Sequence, residues 1–116
     1  MLPGFPCFFQ LTGANTGLGH TSMVYMIESQ LAFVADAVRK IEAAGGGTCV
    51  VRPDMAAAWN ARLQRKLPGT IWGSGCSSWY LDDRGRNLAL WPGFTFSYRR
   101  RTRRFRPRDF IIAPPA

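Results

Sequence analysis

Histidine is almost absent from this chain, His20 being the only one, and the three cysteines Cys7, Cys49 and Cys76 form no Cys-x-x-Cys pair. A structural zinc site needs four clustered nitrogen or sulfur donors, and a disulfide framework uses an even cysteine count. Neither is expected here. A nucleophilic triad would have to be built on His20 beside Ser22, and the sequence places no partner acid near them. We therefore expect no metal site and no catalytic residue in the chain. Long apolar runs are missing too. Residues 1–27 carry no formal charge with His20 neutral, but Pro, Gly, Asn and Thr interrupt them throughout, so nothing reads as a membrane span. Met1-Leu2-Pro3-Gly4 has neither a basic start nor a cleavage signal. A reduced, cytoplasmic setting is the expectation.

Acidic residues are scarce in one region above all. The net charge of +8 comes from fifteen basic and seven acidic residues. Seven of the fifteen are Arg99, Arg100, Arg101, Arg103, Arg104, Arg106 and Arg108, with no acid among residues 99–108. The other eight face the seven acids, so the rest of the chain carries only +1. Basicity belongs to one segment, not to the body. At 116 residues the chain is one compact unit at most, and a hydrophobic content of 47% makes a core possible.

What is present is organised around residues 8–20, Phe-Phe-Gln-Leu-Thr-Gly-Ala-Asn-Thr-Gly-Leu-Gly-His. Leu2-Pro3-Gly4-Phe5-Pro6 is a rigid lead-in, and Cys7–Leu11 reads as a short buried strand. A turn holding three glycines follows, and a helical pattern begins at Thr21. Strand, glycine-rich turn and helix start together leave backbone N–H groups free at the helix mouth. Glycine removes the Cβ that would block a ligand, and the helix dipole favours an electron-rich group there.

Met23, Ile27, Leu31, Val34, Val38 and Ile41 recur at helical spacing, and Met26, Phe33 and Ala37 add a second stripe, predicting a helix covered on two sides from Thr21 to about Ala44. Gly45-Gly46-Gly47 ends it. Thr48–Val51 is a brief strand, and Pro53 opens a second helix running through Leu67 to a stop at Pro68. Ile71-Trp72, Trp79–Leu81 and Leu88–Trp91 read as short strands, with Asp82–Asn87 a turn. Phe94, Phe96 and Tyr98 alternate with polar residues, the period of a half-buried strand. Pro107, Pro114 and Pro115 predict an irregular tail. Trp72 and Trp91 are expected in the core.

Gly17-Leu18-Gly19-His20-Thr21-Ser22 nearly spells the dinucleotide fingerprint, with Ser at the third glycine. The acid such a fingerprint requires is missing, because Glu42 is still helical and Asp54 falls about a dozen residues too late. A complete Rossmann site is not expected. A plain structural turn and a ligand-facing helix mouth both remain open on these residues.

The run FFQLTGANTGLGHTSMVYMIESQ, with SSWYLDDRGRN and LWPGFTFSYRRRTRRF, resembles the C-terminal end of FAD-dependent monooxygenases of the Baeyer–Villiger and flavin-containing type. The resemblance runs from about Pro3 to about Phe110, departing at Ala14, where the family usually has Pro, and at Cys7, where it has Asn. The family's two dinucleotide fingerprints lie upstream of the matched part, so the expectation is a piece of a larger flavoprotein in which Met1 replaces upstream chain. The implied fold is α/β, a partial FAD/NAD(P)-binding flavoprotein fold. It comprises one strand and a long FAD-facing helix over residues 1–47, a second helix and a small meander of short strands over 48–110, and a tail over 111–116.

By the same resemblance Gly13, Ala14, Asn15, Thr16, Gly17 and Leu18 line the FAD pocket, with His20 as a cap or further wall. Ser78 and Trp79 belong to a loop that approaches NADPH and substrate, and Tyr80 packs. In the family the flavin carries the oxygen chemistry with NADPH as reductant, and the protein keeps water away. The implied partners are upstream FAD and NADP domains and a small organic substrate. The arginine over the flavin comes from upstream in that family, so none of the arginines here inherits its role. An alternative reading makes residues 94–108 a small basic nucleic-acid-binding surface, its arginines on phosphates and its aromatics stacking on bases. A solvated or domain-bridging segment accounts for the same charge, and a truncated reading frame with no independent role is a third possibility.

Overall fold

A computed structural model describes residues 1–18, 21–71 and 79–115. Three helices and one two-stranded sheet make up its regular structure: α1 (Met23–Ala43), β1 (Thr48–Val51), α2 (Pro53–Lys66), α3 (Thr95–Thr102) and β2 (Phe110–Ala113). Single turns of 3-10 helix follow α2 at Leu67–Gly69 and precede β2 at Pro107–Asp109. The class is α/β.

Helix α1 begins where Ser22, in extended conformation, accepts the Tyr25 N–H on its Oγ at 3.4 Å. That bond satisfies one of the orphan donors of the first turn. It ends at three consecutive glycines with positive φ. At Gly47 a Cβ would run into the Ala113 carbonyl, so glycine is what lets the chain enter β1 beside β2. The strands pair antiparallel, from Thr48 opposite Ala113 to Val51 opposite Phe110. Helix α2 starts on Pro53 with Asp54 in its first turn and ends with Arg65 and Lys66, each on the side that suits the dipole.

Two hydrophobic clusters sit along α1. Near its start Met26 packs with Leu63 of α2, Trp91 and Tyr98 of α3, joined by Leu18. Toward its end Ala37 and Ile41 pack with Cys49 of β1 and Phe105, flanked by Phe9, Phe33 and Phe110. Phe105 stacks on Phe110 at 4.3 Å between ring centres. No helix among the described residues is long and apolar enough to cross a membrane.

The structure corrects five expectations. Residues 7–11 form no strand: Cys7 takes φ 55°, which ends any extended run, and reaches β1 through one backbone bond, Cys7 N–H to Cys49 O at 2.7 Å. Residues 95–102 are helical, not extended, because Tyr98 alone turns into the core while Phe94 and Phe96 stack on each other outside it. The tail is not irregular, since Phe110–Ala113 supplies the partner that β1 needs. The described part of the expected meander reduces to two isolated bridges, Leu81 to Asn87 and Gly17 to Leu90. Finally, α1 is covered unequally. Its Met26–Ala37 side is buried, whereas Val24, Leu31 and Val38, seven residues apart, stay exposed.

Candidate functional site

The glycine-rich loop is held to residues 87–91 by a short parallel ladder. The Asn15 N–H donates to Leu88 O and the Gly17 N–H to Ala89 O, each at 2.8 Å, and the Trp91 N–H returns to Gly17 O at 2.9 Å. The Asn15 side chain completes it: Nδ2 donates to Asn87 O at 2.8 Å and to Leu90 O at 3.0 Å, while the backbone takes φ 55°. Asparagine is among the few residues that accept a left-handed backbone, and here its amide also fills two buried carbonyls. Gly17 is required for a different reason. A Cβ there would stand 2.8 Å from Ala89 O, so the ladder closes only on glycine.

Asn87 organises the opposite side. Its Oδ1 accepts the N–H groups of Ala89 at 3.1 Å and Leu90 at 2.9 Å, and Gln64 Nε2 of α2 donates to its carbonyl at 2.9 Å. Its own Nδ2 is buried and has no partner among the described residues. Ahead of it, the turn 82–86 closes on the Asp82 carboxylate, which accepts from the Arg86 and Arg84 N–H groups at 2.8 and 3.0 Å. The Arg86 backbone N–H, then its guanidinium, hold the Asp82 pKa below the usual carboxylate value.

The loop therefore has two sides. Asn15 and Gly17 spend their N–H groups on the chain itself. The N–H groups of Ala14 and Leu18 have no backbone partner among the described residues, whereas Thr16 is buried and closes a turn on Gly13. Ala14 is exposed, as are Thr21 and Ser22 at the start of α1. Uncommitted amides beside a helix start suit an electron-rich ring edge or an anion, and the residues present fit such a group.

Of the expected site residues, the structure brings Gly13, Ala14, Asn15, Thr16, Gly17 and Leu18 together in this loop. His20 and Ser78 lie outside the described residues, as does Trp72, expected in the core. Trp79 is 84% exposed, and Tyr80 meets it edge-on at 5.7 Å. Trp91 is buried as expected. Asn87 was not singled out by the sequence, although its place at the end of a polar turn was the available signal.

The chain is similar in sequence to proteins named as monooxygenases. It is 46% identical over 115 residues to a Baeyer–Villiger monooxygenase of Streptomyces coelicolor, a match covering 97% of this chain and 22% of that protein. It is 50% identical over 104 residues to a Baeyer–Villiger monooxygenase of Pseudomonas aeruginosa, covering 88% of this chain and 20% of that one. An FAD-binding monooxygenase of Aspergillus niger matches 112 residues at 34% identity, 92% of this chain and 18% of its own. The chain belongs to the Baeyer–Villiger and FAD-binding monooxygenase family and spans about a fifth of the length of these relatives. No protein-family model matches it, and no solved structure does.

Proposed function

We propose that residues 13–18 and the start of α1 form one wall of the FAD pocket in an FAD- and NADPH-dependent monooxygenase, of which this chain corresponds to the C-terminal portion. The observation that carries this reading is the division of the loop amides. Asn15 and Gly17 position the loop from within, and the N–H groups of Ala14 and Leu18 are left without backbone partners among the described residues, beside an exposed start of α1. Bound there, the flavin supplies the redox chemistry. The chain's own contribution is to orient the ring and to exclude water on one side. His20 completes that wall, and Ser78 with Trp79 forms a loop toward NADPH and a small organic substrate. The exposure of Trp79 supports this.

The remaining walls belong to FAD and NADP domains equivalent to the other four-fifths of the relatives. The exposed Val24, Leu31 and Val38 stripe on α1 supports such packing, because a regular apolar face gains by being covered. Residues 1–47 act as the flavin-facing unit and 48–110 as its support. Alone, the chain neither binds FAD tightly nor oxidises NADPH.

The test is a chimera. The matching fifth of the Streptomyces coelicolor enzyme is replaced by this chain, and FAD content and NADPH oxidation are measured against the 116-residue chain alone. Both activities return in the chimera and are absent from the chain. Tight FAD binding by the chain alone, or a folded chimera without FAD, refutes the reading.

A further inference from the structure

Outside the glycine loop, the largest concentration of unspent charge surrounds a cavity of about 480 Å³ at the far end of α1. Arg100 and Arg101 of α3, Arg103, Arg104 and Arg106 beyond it, and Lys40 of α1 line it. Its volume falls in the range of small-molecule sites. No carboxylate lines it. Lys40 is already committed, to Asp36 at 2.7 Å and to the Phe105 carbonyl at 2.8 Å. Arg108, which also lines it, meets Asp109 at 3.7 Å, and among the described residues no acid pairs with Arg100, Arg101, Arg103, Arg104 or Arg106. Burial, and then repulsion from Arg62 and Arg100, lowers the pKa of Arg101, as expected where like charges crowd without a counterion.

We propose that this concavity binds a small anion of linked phosphates, a pyrophosphate group, through the forked guanidinium groups of Arg103 and Arg104. Guanidinium presents paired N–H donors that match two phosphate oxygens at once. Several such forks around one hollow suit an anion with more than one charged centre. The shape argues for a compact ligand over a polynucleotide. Base stacking needs exposed aromatics beside the phosphate track; Phe94 and Phe96 are exposed but stack on each other at 5.4 Å, Tyr98 is buried, and none of the three lines the cavity. The site is independent of the flavin reading, since no residue of the 13–18 loop lines it.

The test is calorimetric titration of the full chain with pyrophosphate, orthophosphate and a single-stranded oligonucleotide at low salt. Pyrophosphate binds one to one and more tightly than orthophosphate. Replacing both forks with neutral side chains (R103Q with R104Q) weakens it by about tenfold or more. Both side chains are exposed, so the fold survives, which circular dichroism verifies. The charge-keeping pair (R103K with R104K) weakens it by a smaller factor, and R39Q, outside the cavity, leaves it unchanged. Absence of saturable pyrophosphate binding overturns the proposal. So does an equal loss in R39Q, a lysine pair that binds as well as the native chain, or an oligonucleotide that pyrophosphate cannot displace.

Discussion

The Asp36 carboxylate accepts the Phe105 backbone N–H at 2.8 Å, and its i,i+4 partner Lys40 donates to the Phe105 carbonyl at 2.8 Å. One acid–base pair on α1 thus holds both backbone groups of a single residue at the centre of the second core cluster. It also fixes the arginine-rich segment at its midpoint, where that segment meets an acid from another element.

This clamp makes stability depend on acid pH. The Lys40 ammonium first, then the Phe105 N–H, hold the Asp36 pKa below its ordinary value. A carboxylate depressed in the folded state contributes stability that is full above its unfolded pKa and is lost as pH falls through the folded value. The loss therefore begins below about pH 4. Asp54 and Asp82 are depressed in the same direction, by Arg52 and by Arg86. Urea midpoints followed down the acid range will fall less steeply in D36N than in the native chain. Parallel curves for the two would show that the clamp contributes nothing.

Phe105 is 1% exposed and touches the rings of Phe33 and Phe110. Removing it leaves a cavity bounded by α1, β1 and β2. We expect F105A to cost about 3–5 kcal/mol, enough to leave a marginally stable chain unfolded, and F105L distinctly less. Chemical unfolding of the two variants measures the difference.

The loop ladder predicts that G17A and N15A are both destabilising although neither touches the main clusters. G17A places a methyl against Ala89 O, and N15A leaves the Asn87 and Leu90 carbonyls with one donor fewer. Each costs about 1–3 kcal/mol. In the chimera both also lower FAD content, because they displace the loop proposed to face the flavin. Native FAD content in a folded G17A chimera would show that the loop does not face the cofactor.

At Trp79 the expected effects separate. Its side chain is largely in solvent, so W79A changes the stability of the chain by no more than about 0.5 kcal/mol. In the chimera it raises KM for NADPH or lowers kcat. An unchanged kinetic profile removes Trp79 from the cofactor side.

The open stripe of α1 separates in the same way. L31E leaves the 116-residue chain as stable as before, within about 0.5 kcal/mol, since Leu31 is half exposed. In the chimera it prevents assembly, seen as insoluble or FAD-free protein. Normal assembly would show that this face meets solvent in the larger enzyme as well.

The helices α1 and α2 are legible residue by residue. Period-3.6 apolar stripes, Pro53 at the second start and three glycines at the first stop are all local signals, satisfied by neighbours within a few positions. The loop was legible as a place, from its glycines, but its two sides were not. Which amides face inward depends on the carbonyls of Leu88 and Ala89, and no pattern near residue 15 records them. Helix α3 was misread for a related reason: Phe94, Phe96 and Tyr98 alternate like a strand, yet only Tyr98 finds a core partner, in Trp91.

Composition and spacing settled the long helix and the confinement of excess positive charge to residues 99–108. The pairing of β1 with β2, the Asn15–Asn87 junction and the curling of the arginines around a hollow were decided by folding alone. Helical order is written in contacts a turn apart. A ladder, a buried amide or a charged concavity exists only once distant segments have been brought within bonding distance.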